Sequence, residues 1–374
     1  MLIKRSDQPM ITKKVVMPQD SVYKGTKDLL SEISRDAIVA DHTLAVSLED
    51  FFFPTSYDLG PARVVVPSSP PVWQPQQLPV LISADEPAID PRRVLQSCPF
   101  DATFRAITIT SPGLSLRDFD VITDRKNLRA LLNFFKNTNR QSHRIDAELI
   151  GNTLLLYLGW SEWGYSQSAT RNSYGMNFER KFTTSLSEGT IQHNRVIAYR
   201  FGDLKLMIKY QADACIGPLT TSEPQTMRLP AFTTPTGLNI ISTGSMVSSE
   251  SIVEIKTLRE GFNILHPRTM EQLWFSQTPI LMTGYHNGYG LFSSVEMTDT
   301  KEALRLWEQN NTTALQKVVR VLQMIREHLS RSLLKTQAIV LDNKGKSARI
   351  KFFSLLDERE TTLPNDLRQM WGGH

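Results

Sequence analysis

Residues 251–260 read Ser-Ile-Val-Glu-Ile-Lys-Thr-Leu-Arg-Glu, an apolar, β-branched run into which a carboxylate and an ammonium are set two positions apart. Such runs mark buried strands, and the two-residue period of a strand turns Glu254 and Lys256 to the same face. Burying both charges is costly unless something uses them. Either the strand is an exposed edge carrying ordinary surface charge, or the pair serves a metal ion or an anionic substrate. The residues that decide between these lie upstream.

The 374-residue chain, 40% hydrophobic and 21% charged, can bury a substantial core as one large or two smaller domains. A net charge of +4 permits a polyanionic partner without requiring one. Cys98 and Cys215 have neither metal-ligand spacing nor a disulfide framework, which points to a reducing compartment. The start lacks the apolar run of a signal peptide, and no stretch reaches the roughly 18–20 apolar residues of a membrane span. The expectation is a soluble, intracellular protein with no membrane partner. Lys13-Lys14 is too short a basic cluster to decide between nucleus and cytoplasm.

Along the chain, Leu29, Leu30, Ile33 and Ile38 suggest a helix within 21–45. Prolines are dense from 54 to 99, and a residue without an N–H suits surface coil with short strands at 63–66 and 80–82. Residues 1–100 are therefore expected to wrap a domain formed by 101–374. Residues 103–110 alternate like a strand. Asp124 is placed to cap a helix carrying Leu128, Leu131, Leu132 and Phe135. Gly151-Asn152 signals a hairpin between strands at 143–149 and 153–160. Strands are expected at 194–201, 204–215, 280–285, 338–341 and 349–355. Helices are expected at 270–277 and 303–335, the latter broken near Asn310-Asn311. Antiparallel strand pairs alternating with packing helices give a single mixed α+β domain.

Glu179, Asp213 and Glu254 fall on or beside these elements, and Gln211 shares a strand face with Asp213 as Glu254 does with Lys256. Carboxylates converging from three elements can hold Mg²⁺ or Mn²⁺ through oxygen ligands. A lysine beside that metal supplies fixed positive charge for a phosphate and its transition state. Scattered charges on edge strands remain the competing reading of the same spacing.

The ordered segments Tyr174-Gly175-Met176-Asn177-Phe178-Glu179, Gln211-Ala212-Asp213-Ala214-Cys215 and Glu254-Ile255-Lys256-Thr257 resemble the motifs of the DXO/Rai-type decapping exoribonucleases, in a divergent, fungal-like form. Val121-Ile122-Thr123-Asp124-Arg125 is similar to that family's arginine-bearing segment, and Leu273-Trp274-Phe275-Ser276-Gln277 to its glutamine-bearing helix. The resemblance runs through residues 119–295 and implies a PD-(D/E)XK nuclease core with flanking helices. It implies Glu179, Asp213 and Glu254 as metal ligands, assisted by the Ile255 carbonyl, and Gln211 as a further candidate ligand. Lys256 and Gln277 would meet the scissile phosphate or attacking water, and Arg125 would bind substrate phosphates. The implied activity is hydrolysis at RNA 5′ ends, removing incomplete or non-standard caps or the triphosphate, with 5′–3′ exonuclease degradation to follow. The implied partners are RNA with a modified or defective 5′ end and a 5′–3′ exoribonuclease.

Two departures stand out. Gln211 occupies a position where the family has glutamate, and an amide brings no charge and accepts no proton from water. Lys126 follows Arg125 where the family has glycine. Gln211 supports a second reading, a weakened or inactive nuclease fold that binds RNA ends or a protein. Prenyl-diphosphate synthases are excluded, because their paired Asp-rich motifs are absent. His143, His193, His266 and His286 have no ligand spacing and read as structural. Cys215 reads as a core thiol. Trp160, Trp163 and Tyr165 read as an aromatic loop packed on its own domain, with base stacking as the alternative. Arg320, Arg326, Arg331 and Lys335 read as a solvated helix face, with guidance of RNA as the alternative.

Overall fold

Apolar residues on both faces of Gln192–Phe201 make this strand central to a sheet covered on two sides. Ile197, Tyr199 and Phe201 enter one core, while Val196 and Ala198 enter another. Its hairpin partner is Leu204–Gln211, in register from Phe201↔Leu204 to Asn194↔Gln211. The turn uses Gly202 at φ 62°, a conformation that costs glycine little.

The computed structural model describes residues 21–86, 98–138, 141–158, 173–185, 187, 189–217, 230–262, 266–344, 347–356 and 363–372. Among them a twelve-stranded mixed sheet and a seven-stranded mixed sheet carry the fold. Helices Arg125–Lys136, Pro267–Ser276 and Lys301–Arg331 contribute to one core of the large sheet. Asp101–Thr110 and the C-terminal Leu363, Leu367 and Trp371 contribute to the other. The helix Gly175–Phe182 packs with the smaller sheet through Phe178 and Phe182 against Val253, Ile255, Met282 and Phe292. The architecture is α+β, as expected. Among the described residues, no helix is long and apolar enough to cross a membrane.

Several local expectations are corrected. Residues 26–34 form a strand paired with Arg349–Leu355, not a helix. Leu29 and Leu30 are 51% and 41% exposed, whereas Ile33 packs against the core and Ile38 lies in it, so the four residues do not share one buried face. Asp101–Thr110 is a helix, not a strand. Its buried Thr103, Phe104, Ala106 and Ile107 recur at three- and four-residue spacing, which the overlapping alternation concealed. The helix Lys301–Arg331 is unbroken, since Asn311 Nδ2 and Thr312 Oγ1 donate back to the Trp307 and Glu308 carbonyls. The coil expected after residue 54 misses a thirteen-residue strand, Leu48–Gly60, paired with Gln192–Phe201. Pro54 is accommodated because it lies at a register shift between Ala198↔Phe52 and Val196↔Thr55, where no ladder donor is needed.

The stretch 204–215 divides between the sheets. Leu204–Gln211 belongs to the large sheet, whereas Ala214–Cys215 pairs with Ile252–Val253 in the small one. Asp213 therefore sits at the crossing.

Phe178 stacks on Phe182 at 4.2 Å and lies 4.6 Å from Phe292. This packing needs Gly284 on strand Ile280–His286, because a Cβ there would overlap the Phe178 ring. Gly284→Ala should destabilise the protein by about 1–3 kcal/mol and shift the helix that bears Glu179. Denaturant midpoints, with amide protection of residues 175–182, would check this.

Candidate active site

Strand Ile252–Arg259 has neighbours on both sides, Ala214–Cys215 and Ile280–His286, so it is interior rather than an edge. Its alternation sends Val253 and Ile255 toward Phe178, and Glu254 and Lys256 to the opposite face. Glu254 is 3% exposed and doubly paired. Lys256 Nζ donates to its Oε1 at 2.5 Å, and Arg125 NH1 to its Oε2 at 3.1 Å. The exposed-edge reading is thus excluded.

Arg125 reaches this point from the first turn of helix Arg125–Lys136, which Asp124 caps by accepting from Lys126 N. Its guanidinium also donates to Ser276 Oγ at 3.1 Å and lies 5.2 Å over the Tyr210 ring. The arginine helix is tied to Pro267–Ser276 by buried Glu271, which accepts from Asn133 Nδ2 at 2.9 Å and from Lys136 Nζ at 3.4 Å.

A cavity of about 360 Å³ gathers Arg125, Glu179, Gln211, Asp213, Glu254 and Lys256, with Ile255 on its wall. Asp213 Oδ2 accepts from the Ile255 N–H at 2.9 Å, while the Ile255 carbonyl accepts from Lys256 Nζ at 3.2 Å. One expected residue is elsewhere. Gln277 ends its helix in the left-handed region at φ 50°, and its amide donates to the Trp274 carbonyl at 2.6 Å. It lines a different cavity, with Phe51 and Glu308. Gln272, one turn and a half earlier on the same helix, lines the site instead.

Asp85 was not foreseen. Its carboxylate accepts from Ser173 Oγ at 2.7 Å, Met176 N at 3.2 Å and Asn177 N at 2.8 Å. Helix Gly175–Phe182 has no side-chain cap of its own, and this distant carboxylate satisfies donors its first turn leaves open. No local pattern marks a cap that is ninety residues away.

The carboxylates differ in charge state. Burial opposes ionisation of Glu254, but Lys256 and Arg125 outweigh it and hold the group at about 2. Burial, then the negative charge of Glu254, pushes Asp213 up to about 6. Burial and the Asp213 charge likewise hold Glu179 well above the usual carboxylate range. Burial works against the Lys256 ammonium, yet Glu254 and Asp213 keep its pKa raised.

Among the described residues, no group of three or more His, Cys, Asp and Glu side chains is disposed to hold one ion as placed. Both Glu254 oxygens are engaged by cations, so the ligand set implied by the resemblance is not assembled in this arrangement. The donor chemistry nevertheless fits a hard divalent cation: Glu179, Asp213 and Glu254 offer only oxygen, and the first two resist ionising even with Lys256 nearby.

The remaining polar candidates are structural. His193 Nδ1 lies 2.7 Å from Asp58 and 3.2 Å from Ser68 Oγ. His266 caps Pro267–Ser276 by accepting from Arg268 N, and His286 accepts from Gly288 N. Cys215 is buried, and burial pushes its thiol up to about 11. Arg326 binds Asp120 and the Asn152 carbonyl, and Lys335 caps the carbonyls of Leu329 and Ser330. Trp160, Trp163 and Tyr165 lie outside the described residues.

The family model described as "Domain of unknown function (DUF8563)" matches residues 29–371. No curated protein matches the sequence. Solved structures do match in fold. Candida albicans Rai1 in complex with pU5-Mn2+ aligns at TM-score 0.65 and 14% identity, over 91% of this chain and 99% of that one. Scheffersomyces stipitis Rai1 in complex with (3'-NADP)+ and calcium ion aligns at TM-score 0.61 and 12% identity, over 92% and 99%. K. lactis Dxo1 in complex with manganese aligns at TM-score 0.56 and 11% identity, over 89% and 99%. The chain has the fold of the Rai1 and Dxo1 structures.

Two variants should separate the carboxylates. Glu254→Gln leaves two enclosed cations without their counter-charge and should cost about 3–5 kcal/mol. Asp213→Asn keeps an acceptor for Ile255 N–H and removes a charge that folding disfavours, so it should raise the melting temperature of metal-free protein at pH 7.5. Because the folded carboxyl titrates at about 6 and its ordinary value is 3.8, the wild-type deficit is present above 6 and disappears as pH falls through that interval. Thermal melts of both variants at several pH values would check the signs.

Proposed function

The chain belongs to the family described as a domain of unknown function (DUF8563), and we propose that it is a divalent-metal-dependent hydrolase acting on RNA 5′ ends. The observation that carries this reading is the meeting of three carboxylates, Arg125 and Lys256 around one cavity, with Asp213 and Glu179 held against ionisation. A fold shared with Rai1 and Dxo1 structures, one in complex with pU5-Mn2+ and another with manganese, supports the substrate class. The substrates we assign are RNAs with an incomplete or non-standard cap or a triphosphate, with 5′–3′ degradation as a further step and a 5′–3′ exoribonuclease as partner.

Glu179, Asp213 and Glu254 would hold Mg²⁺ or Mn²⁺, with the Ile255 carbonyl and Gln211 as additional oxygen donors. The ion, when bound, supplies Lewis acidity at a phosphoryl oxygen and a more acidic water. Asp213 is pre-aimed by the Ile255 N–H, and Glu254 is kept ionised by its two cations. Lys256 and Arg125 provide the positive charge that a phosphate and its transition state need. Gln272 takes the substrate-facing amide position that the motif alone assigned to Gln277. Gln211, exposed in the cavity, cannot accept a proton from water, which favours slow turnover. It is also the observation behind the second reading, a binding module that has lost its chemistry.

The test is incubation with Mn²⁺ and RNAs bearing triphosphate, unmethylated cap, NAD cap or monophosphate ends. Wild type should release 5′ ends slowly, Glu254→Ala about 100-fold or more slowly still, and Gln211→Glu faster than wild type. Mn²⁺ should also raise the melting temperature of wild type but not of Asp213→Ala. An inert wild type made active by Gln211→Glu would select the binding module. No turnover and no metal-induced stabilisation in any variant would overturn the nuclease reading.

A further inference from the structure

The carboxylate cavity is only as well defined as the helix that brings Glu179 to it. Gly175–Phe182 has eight residues, fewer than an isolated helix needs to hold its shape. Phe178 and Phe182 seat it on the small sheet, but apolar burial is non-directional and leaves its travel along the sheet loosely set. The polar contacts at its two ends supply the direction, and both sets come from one proline-rich segment, residues 71–85.

At the C-terminal end, Gln74 N–H donates to the Phe182 carbonyl at 2.7 Å and Trp73 stacks on the Phe182 ring at 5.3 Å. Val72–Trp73 also pairs with Thr183–Thr184, just beyond the helix. On its other side Val72 pairs with Cys215, whose N–H donates to the Pro71 carbonyl at 2.9 Å, two residues after Asp213. The segment then follows the rim of the small sheet, where Val80–Leu81 pairs with Leu291–Phe292 and Ile82 N–H donates to the Gly290 carbonyl at 2.8 Å.

It ends on the first turn of the same helix. Asp85 N–H donates to the Ser173 carbonyl at 2.7 Å, and Asn177 Nδ2 donates to the Ser83 and Ala84 carbonyls at 3.0 Å each. The Asp85 carboxylate answers with both oxygens. Oδ1 accepts from Asn177 N, and Oδ2 from Ser173 Oγ and Met176 N. Asp85 borders the cavity, yet both oxygens are committed to the helix start, where a negative charge also suits the helix dipole. Its place is beside the candidate metal ligands, not among them. Glu179 follows Asn177 by two residues, about 3 Å along the axis, so a shift of the first turn moves Glu179 with it.

We propose that residues 71–85 form a clasp that sets Glu179 beside Asp213 and Glu254, with Asp85 as a positioning residue on which the site's affinity for a divalent ion depends. The proposal rests on the metal-binding reading above and gives a role to a segment that carries none of the motifs. One end of the clasp is fastened next to Asp213 and the other to the helix of Glu179, so it ties two of the three carboxylates to a common frame. Pro71, Pro75 and Pro79 restrict the backbone between those points.

The experiment is calorimetric titration of Mn²⁺ into the metal-free full chain, with amide exchange of residues 175–182 and thermal melts measured alongside. Asp85→Ala should weaken Mn²⁺ binding about tenfold or more and reduce protection of the helix start. Asp85→Asn keeps an oxygen for the Asn177 N–H and should recover part of both. Asn177→Ala removes only the bonds to Ser83 and Ala84, should weaken Mn²⁺ by a smaller factor, and guards against misfolding of the first variant. A lower melting temperature with Mn²⁺ affinity unchanged in Asp85→Ala and Asn177→Ala would make the contact merely structural and overturn the proposal alone. Equal loss of affinity in Asp85→Ala and Asp85→Asn, with helix protection intact in both, would show the charge acting directly on the ion and would overturn the positioning role. A wild type that binds no Mn²⁺ would remove the metal-binding reading itself, and this proposal with it.

Discussion

The buried contact of Glu254 with Lys256 and Arg125 joins the parts of this protein that matter for chemistry. Glu254 and Lys256 belong to the smaller sheet, and Arg125 opens a helix packed on the larger one. One carboxylate thus fastens two sheets at the point where the chain crosses between them. A buried ion group of this kind is not a bargain in stability, because desolvation offsets most of the attraction. Its value is positional: it fixes a guanidinium, an ammonium and an ionised carboxylate at one cavity wall.

The crossing at Asp213 explains the electrostatic imbalance. Had 204–215 continued as one strand, Asp213 would have remained in the large sheet, away from Glu254. Instead the chain leaves that sheet after Gln211 and joins the small one at Ala214, so Asp213 turns toward the Ile255 N–H and the Glu254 charge. Glu179 arrives on a helix seated against Gly284 and capped by Asp85. Asp213 and Glu179 are thereby collected against electrostatic preference beside the ionised Glu254, and perturbed groups of this kind concentrate at functional sites.

Much of the site was determined by local sequence. The same-face placement of Glu254 and Lys256 follows from strand period alone, and the Asp124 cap and Arg125 position follow from the start signal of a helix. The strand pairs expected at 143–149 with 153–160 and at 194–201 with 204–215 were likewise marked by apolar runs joined at turn glycines, although the last of them divides between the two sheets. What local pattern could not decide was anything requiring distant partners. The 26–34 segment became a strand only because Arg349–Leu355 offered it a ladder, and Asp101–Thr110 became a helix because its apolar residues met a sheet face. Gln272 rather than Gln277 faces the site because the latter ends its helix in a left-handed turn, reversing its direction. Asp85 caps a helix it does not adjoin in sequence. The chain's own periodicity specifies which way a side chain points within an element, whereas which elements meet is a property of the packed whole.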